Sequence, residues 1–387
     1  MNILFLSSWY PTKSNPNYGI FVKEHAQALN STDINIVVLA IVINNCSKIY
    51  SRTITDSIDE SGMRVVLINI NTRFSDIFYY LIPFQYFLTY KVFLKNILPD
   101  FIPDIIHSNV IFPSGIIGDL LASDIKKPHI ITEHWSRINA FLKKPVLSGI
   151  AIRAYQRASM ILPVSEFLMN KMKAILPAID SNRYCVIGNV VDSELFYFKE
   201  KKPIENCIRF CAIATWANKK IPDKRPELFI ESLSQLQTQI NQTIILTMIG
   251  GGDKIPELKN LCNEKGIKAV FVGFINKVEI AKILQQSDFF IHASTVETFG
   301  IVIAEALLCG TPVICSNVGA LPELINDSNG ILCENNLEKW VEGLKILIKK
   351  KFNLEEIANN ILMKYSKENV AKKIIIIYEE VLNQETK

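Results

Sequence analysis

The chain has 387 residues, 49% of them hydrophobic and 21% charged, which excludes disordered and fibrous classes and exceeds what a single core organises, so two domains are expected. A net charge of +4 is too mild to argue for nucleic acid, and no segment reaches the ~18 uninterrupted apolar residues of a transmembrane helix. The eight cysteines stand singly, without Cys-x-x-Cys or Cys/His spacing, so reduced core cysteines in a cytoplasmic protein are expected rather than zinc.

Met1-Asn2 leads straight into Ile3-Leu4-Phe5-Leu6 with no basic region and no small-residue cleavage site, which reads as a first strand and not a signal peptide. Further strands are predicted at 34–40, 65–70, 104–107, 129–132 and 160–164, with helical segments between them. After the first strand, the stretch from Trp9-Tyr10-Pro11 to Gly19-Ile20-Phe21 is a loop leading into a helix. Gly19 sits at the start of that helix, where free amides suit an anion, or where a turn simply needs a glycine.

Residues 74–93 are crowded with aromatics (Phe78, Tyr79, Tyr80, Phe84, Tyr86, Phe87, Tyr90, Phe93) beside Arg73, Lys91 and Lys95. They read either as helices packed on the first sheet or as an interfacial pair meeting a membrane. Thr132-Glu133-His134-Trp135-Ser136 ends another strand and makes His134 a better binding candidate than a lone structural histidine. His107, His25 and His292 read as packing. From Arg137 to Arg157 there are five basic residues and no acidic ones, either a solvated helix face or a surface for anionic lipid or an acceptor diphosphate.

A charged linker, 199–203, precedes a second series of strands at 208–214, 243–249, 269–272, 288–292, 313–315 and 330–333. Continuous apolar strands alternating with helices predict two parallel sheets, each covered on both faces. The loop 215–226 carries Lys219, Lys220, Lys224 and Arg225, cations either solvated or ligating. Gly250-Gly251-Gly252-Asp253 follows a strand and opens a helix, but no G-x-G-x-x-G occurs there or after the first strand, which counts against a nicotinamide dehydrogenase.

Glu297-Thr298-Phe299-Gly300-Ile301-Val302-Ile303-Ala304-Glu305 then brackets a strand-to-helix turn with two carboxylates. The amides near Phe299 and Gly300 would form a positive helix end. If helical throughout, the interval between the glutamates is roughly 12 Å, beyond the ~5–9.5 Å of a glycosidase carboxyl pair, so the two grip different parts of one long ligand. No Asp-x-Asp near a strand end suggests an obligatory metal, and no cofactor is expected.

SerThrValGluThrPheGly, AlaGluAlaLeuLeuCysGlyThrProVal and SerAsnValGlyAlaLeuProGluLeu together resemble the E-x7-E signature of the family-4 retaining glycosyltransferases, and the N-terminal GlyIlePheValLysGlu is most similar to their bacterial polysaccharide-assembly members. The resemblance implies the GT-B fold: two Rossmann-like domains with parallel sheets facing a central cleft, an acceptor-side domain at 1–198 and a nucleotide-sugar domain at 203–366. It also implies a last helix, 367–387, returning to the first domain.

The site roles come from the same resemblance. Lys219 and Lys224 would hold the donor diphosphate, although the family usually has arginine where Lys219 stands; a point charge then replaces a bidentate fork, and Lys220 or Arg225 is the alternative source of the contact. Glu297 with Phe299, Gly300 and Ile301 would hold the sugar, Glu305 the ribose, Gly251 and Ile275 the nucleotide, His134 the donor sugar and its phosphate, and the loop of Gly19 would approach the donor phosphate and the acceptor. The implied reaction is transfer of a sugar from a nucleoside-diphosphate-sugar to a saccharide or lipid-linked saccharide, by a cytoplasmic protein, peripheral on the membrane if the aromatic segment meets it. A sugar-nucleotide epimerase and a non-catalytic saccharide-binding subunit are the alternatives.

Overall fold

The computed structural model describes residues 1–13, 15–30, 32–143, 145–201, 204–218 and 223–385. They form two compact units, Met1–Val190 with Lys367–Lys387, and Val191–Ser366. The division falls upstream of the charged segment at 199–203.

The strands of the first unit are β1 (Asn2–Ser7), β2 (Asn35–Asn45), β3 (Ser51–Ile58), β4 (Arg64–Thr72), β5 (Ile105–Asn109), β6 (His129–Glu133) and β7 (Met160–Pro163). They make a seven-stranded sheet in the order β3-β4-β2-β1-β5-β6-β7. All pairings are parallel except β3 with β4. The sequence reading placed no strand at 51–58 and expected a wholly parallel sheet. SRTITDSI carries little apolar character and is exposed along nearly its whole length, so it gives no buried-strand signal, and its antiparallel pairing makes the sheet mixed.

The second unit contains β8 (Cys207–Ile213), β9 (Thr243–Ile249), β10 (Lys268–Gly273), β11 (Phe289–His292), β12 (Val313–Ser316) and β13 (Gly330–Cys333). Their order is β10-β9-β8-β11-β12-β13 and every pairing is parallel. Short apolar strands such as VICS bury every residue because helices cover both faces.

In each sheet the chain order reverses beside the first strand, between β1 and β5 and between β8 and β11. That is the switch point where loops from strand C-termini splay apart and ligands bind in doubly wound sheets.

One face of the first sheet packs on helix Ile20–Asn30 and on the last helix, Lys367–Glu385. The last helix contributes Val370, Ala371, Ile374, Ile377, Tyr378 and Val381 to the core around Phe5 and Val38. The opposite face, with Val66, Ile68 and Ile70, is covered by Leu88, Val92 and Phe93. In the second unit, Trp340 and Leu344 of helix Leu337–Lys349 close the core over Ile244, Leu246 and Ile314. Among the described residues no helix is long and apolar enough to cross a membrane.

Candidate active site

In the second unit the chain around Lys224 runs antiparallel to the segment leaving β11. Arg225 N donates to Ala293 O at 3.0 Å, Thr295 N donates to Asp223 O at 2.9 Å, and Lys224 pairs with Ser294. Two loops flanking the switch point are thereby fastened together, and Lys224 is set at the end of β11. Its ammonium forms an ion pair with the Glu297 carboxylate. His292, the last residue of β11, places Nε2 2.8 Å from Glu297 Oε1 and 3.2 Å from Lys224 Nζ.

Electrostatics fixes the protonation of this group. Burial works against the Glu297 anion, but the Lys224 charge and the His292 hydrogen bond outweigh it and hold the pKa at about 2. His292 is shifted down, first by burial and then by the Lys224 charge. It is therefore neutral near pH 7, and its Nε2–H donates to the carboxylate. The expectation that His292 is mere packing is corrected: it stacks on Phe290, with centroids 6.1 Å apart, and also orients Glu297.

The loop carrying these residues is braced from behind. Ser294 N donates to Ser316 Oγ at 2.9 Å, Ser316 Oγ donates to Asn335 Oδ1 at 2.6 Å, and Asn335 Nδ2 donates to Ser294 O at 2.8 Å. Arg225 reaches Asn335 O at 3.1 Å, which makes it a brace of the same loop. Ala320 N donates to Glu297 O at 3.0 Å, and Gly319, at φ +57°, lies so close that an added Cβ would stand 2.1 Å from that oxygen. Only glycine fits there, which explains the glycine of the SerAsnValGlyAla motif.

Gly300 caps helix Ile301–Leu308 in the left-handed region, so Glu297 lies in the turn ahead of the helix. The helical rise assumed between the two glutamates does not apply, because only 301–308 is helical. Phe299 is buried edge-on against Tyr365, with centroids 5.0 Å apart, leaving its backbone rather than its ring to meet a ligand. Ile301 begins the helix, whose first-turn amides lie at the positive end of its dipole. Glu305 is buried one turn in, its carboxylate 3.5 Å from Lys277 Nζ at the start of helix Lys277–Gln286.

The glycine turn after β9 is packed against the loop after β8. Trp216 N donates to Gly251 O at 2.9 Å, Lys254 N donates to Trp216 O at 3.0 Å, and Trp216 Nε1 donates to Ile249 O at 3.0 Å. A Cβ at Gly250 or Gly252 would collide with the carbonyls of Ala214 or Trp216. Thr215, Trp216, Ala217, Lys224 and Lys254 line a small pocket here. Ile275 is half-buried after β10, and its neighbour Phe274 is exposed, with its ring against Gly251. Lys219 lies outside the described residues.

In the first unit Gly19 has φ +66° and packs on the Trp9 carbonyl, where a Cβ would approach to 2.2 Å. Trp9 is half-buried among Tyr18, Phe21 and Trp135, with ring centroids 6.2–6.3 Å away, and its Nε1 reaches the Tyr79 hydroxyl at 3.4 Å. These rings stand at the C-terminal ends of β1 and β6, a wall of the kind that sugar rings stack on. Tyr79 was visible in sequence only as one of many aromatics.

His134 is buried beside Phe21 and His25, with Nε2 3.3 Å from Asn109 Oδ1, and burial keeps it neutral. Glu133 is the residue that holds this end of the sheet. Its Oε1 accepts from the amides of His134 (3.0 Å) and Trp135 (2.8 Å), and its Oε2 from Ile111 N (3.0 Å) and Tyr155 Oη (2.6 Å).

The aromatic segment 74–93 divides between its two readings. Phe78, Tyr79, Phe84, Tyr86 and Tyr90 are half-buried and Phe93 is buried, whereas Phe74, Tyr80 and Phe87 are exposed. Of the basic stretch 137–157, Arg157 turns to Ser123 Oγ at 2.6 Å and Asp119 at 3.5 Å. Among the described residues no group of three or more His, Cys, Asp or Glu comes together as a metal site.

Two family models match: Glycosyltransferase Family 4 over residues 19–195 and Glycosyl transferases group 1 over 216–368. An uncharacterized glycosyltransferase of Methanocaldococcus jannaschii is 27% identical over 298 residues, 74% of this chain and 78% of that protein. A Bacillus subtilis protein assigned to teichuronic acid biosynthesis as the glycosyltransferase TuaC is 24% identical over 357 residues, 86% of this chain and 85% of its own. Among solved structures, sucrose-phosphate synthase from Thermosynechococcus elongatus superposes with a TM-score of 0.74 at 16% identity, covering 99% of this chain and 100% of that one. Anabaena HepE in complex with UDP gives 0.70 at 18% identity, covering 98% and 100%. With both halves of the chain matched, the E-x7-E glutamates set in a doubly wound unit and the fold shared over nearly the whole length, this chain belongs to the family-4 glycosyltransferases of the GT-B fold.

Proposed function

We propose that the protein is a retaining glycosyltransferase that moves a sugar from a nucleoside-diphosphate-sugar to a hydroxyl of a saccharide or lipid-linked saccharide during cell-surface polysaccharide assembly. The observation that carries this reading is the Lys224–Glu297–His292 group at the switch point of the second unit, with the tight glycine turn 250–252 after a neighbouring strand and the helix of Glu305 following directly. The relative assigned to teichuronic acid biosynthesis supports the polysaccharide context, and UDP in the HepE complex supports a nucleoside diphosphate.

In this reading Lys224, and Lys219 with it, receive the diphosphate, whose charge grows as the bond from the sugar's anomeric carbon to the phosphate oxygen breaks. Glu297 and the amides at Phe299, Gly300 and Ile301 hold the sugar, and Glu305 holds the ribose. Gly251 and Ile275 contact the nucleotide. His134 contacts the donor sugar and its phosphate, and the Gly19 loop meets the donor phosphate and the acceptor. The acceptor oxygen bonds to the anomeric carbon on the face the diphosphate leaves, and its proton passes to the departing phosphate oxygen, while the lysine ammoniums carry the leaving group's charge in place of a metal. The Trp9, Tyr18, Tyr79 and Trp135 wall offers stacking for the acceptor saccharide. The exposed Phe74, Tyr80 and Phe87 offer peripheral contact with a membrane that carries a lipid-linked acceptor.

A thermal-shift screen with UDP-, GDP- and ADP-sugars identifies the donor, since a ligand at about 100 times its Kd adds about 2.7 kcal/mol. Transfer assays with that donor then test the roles. Full activity in Glu305→Ala or Lys224→Ala would overturn them, and an isomerised donor formed without acceptor would indicate an epimerase instead.

A further inference from the structure

Strand β3 closes one edge of the first sheet and, among the described residues, has a sheet neighbour on one side only. Its ladder with β4 runs unbroken from Ser51–Asn71 to Ile58–Arg64, without a bulge. The sequence SRTITDSI contains no proline, glycine or lysine; the charges it does carry, Arg52 and Asp56, are of opposite sign, so they bar an edge only where they meet like charges.

The alternate residues Arg52, Ile54, Asp56 and Ile58 share one face, opposite Ile70, Ile68, Val66 and Arg64 of β4. On β4 that face is core, covered by Leu88, Val92 and Phe93. The helix layer stops there, and one strand further on Ile54 is 40% and Ile58 64% exposed. The apolar face therefore continues past its own cover and ends at an open edge.

The side chains on this face are self-complementary. If β3 meets an antiparallel copy of itself with Ile54 opposite Ile54, then Arg52 stands opposite Asp56 of the second copy, and Asp56, which also pairs with Arg64 of its own chain at 2.8 Å, stands opposite the second copy's Arg52. The exposed Ile58 falls opposite Tyr50, which is 42% exposed. A register shifted by two residues keeps the same face but sets Arg52 opposite an isoleucine, so charge selects this alignment.

We propose that β3 is the homodimer interface of this protein, pairing antiparallel across a two-fold axis at Ile54 to make one continuous sheet from two copies. Such a contact is isologous and closes on itself, which uses up the β3 edge of both copies. A one-strand interface is small, so association is expected to be concentration-dependent. It does not depend on the proposed reaction.

Sedimentation equilibrium of the full chain across a concentration series should show a reversible species of twice the 43.9 kDa chain mass. Arg52→Glu puts carboxylates opposite each other at both ends and should weaken association roughly tenfold or more, with unchanged far-UV circular dichroism. Adding Asp56→Arg to Arg52→Glu restores opposite charges across the axis while giving up the Asp56–Arg64 pair, so the double variant should dimerise more tightly than either Arg52→Glu or Asp56→Arg alone. Directly opposed residues lie about 4.5–5.5 Å apart at Cα, within disulfide reach. Ile54→Cys should therefore yield an oxidised dimer whose linked peptides both carry position 54. A chain that stays monomeric throughout the series, a dimer indifferent to Arg52→Glu, or no link at position 54 would overturn the proposal.

Discussion

Gly319 offers a way to move Glu297 without touching its side chain. At φ +57°, a Cβ would stand 2.1 Å from Glu297 O and 2.9 Å from Glu297 N, against the 3.4 Å at which ordinary contact begins. Gly319→Ala must therefore displace the Glu297 backbone by about 1 Å, and misplacement on that scale costs on the order of 100-fold in rate. The left-handed backbone itself costs about 1–2 kcal/mol for alanine, or roughly 2–8 °C in Tm for a domain of this size. Gly266 separates the two effects, because at φ +67° it has nothing within 4 Å of an added Cβ. Gly266→Ala should lose comparable stability while keeping wild-type kcat/KM. The measurement is kcat/KM for sugar transfer beside Tm by differential scanning fluorimetry, for both variants. Wild-type kcat/KM in Gly319→Ala, or an equal loss in Gly266→Ala, would refute the claim that the Gly319 contact sets Glu297.

Other outcomes follow from the same contacts. His292→Phe keeps the ring on Phe290 but removes the 2.8 Å hydrogen bond to Glu297; a bond to a charged group contributes about 1.5–3 kcal/mol, so kcat/KM for transfer should fall ~10-fold or more, with KM little changed. Lys277→Met removes the cation 3.5 Å from buried Glu305 and should weaken nucleoside diphosphate binding ~3- to 10-fold by calorimetry, with kcat nearly unchanged. Acid should destabilise the first unit. Burial lowers His25 to about 4 and His129 to about 3, from an ordinary 6.5, and also depresses His107 and His134. Folded values below the unfolded value mean that this stability is complete above pH 6.5 and is lost as pH falls toward 4 and 3. Tm measured from pH 7.5 to 4.5 should drop steeply, and His25→Leu should flatten the slope; an unchanged slope would contradict the assignment.

The parallel strands were legible because burial on both faces makes them continuously apolar, as in Ile3-Leu4-Phe5-Leu6 and Val313-Ile314-Cys315. Strand β3 was not, since exposed Ser and Thr residues read like a loop until β4 lies beside them. The glutamate pair was legible from its surrounding motif rather than from spacing. His292 was missed because a histidine ending a strand looks the same whether or not a carboxylate folds back onto it. Arg225 and Lys224 are adjacent and alike in sequence, and only the pairing of 223–225 with 293–295 turns one to Asn335 O and the other to Glu297. Gly319 carried no separable signal, because its requirement comes from the backbone of a residue far along the chain.

The central claim is retaining transfer of a sugar from a nucleotide donor by the Glu297 and Lys224 site. The most direct test is proton NMR of the product formed from the donor that the thermal-shift screen selects, comparing the anomeric configuration of the new linkage with that of the donor. The wild-type chain should form a glycosylated acceptor whose linkage keeps the donor's configuration, and Lys224→Ala should lose it. An inverted linkage, or an acceptor left unglycosylated while the donor is isomerised, would contradict it.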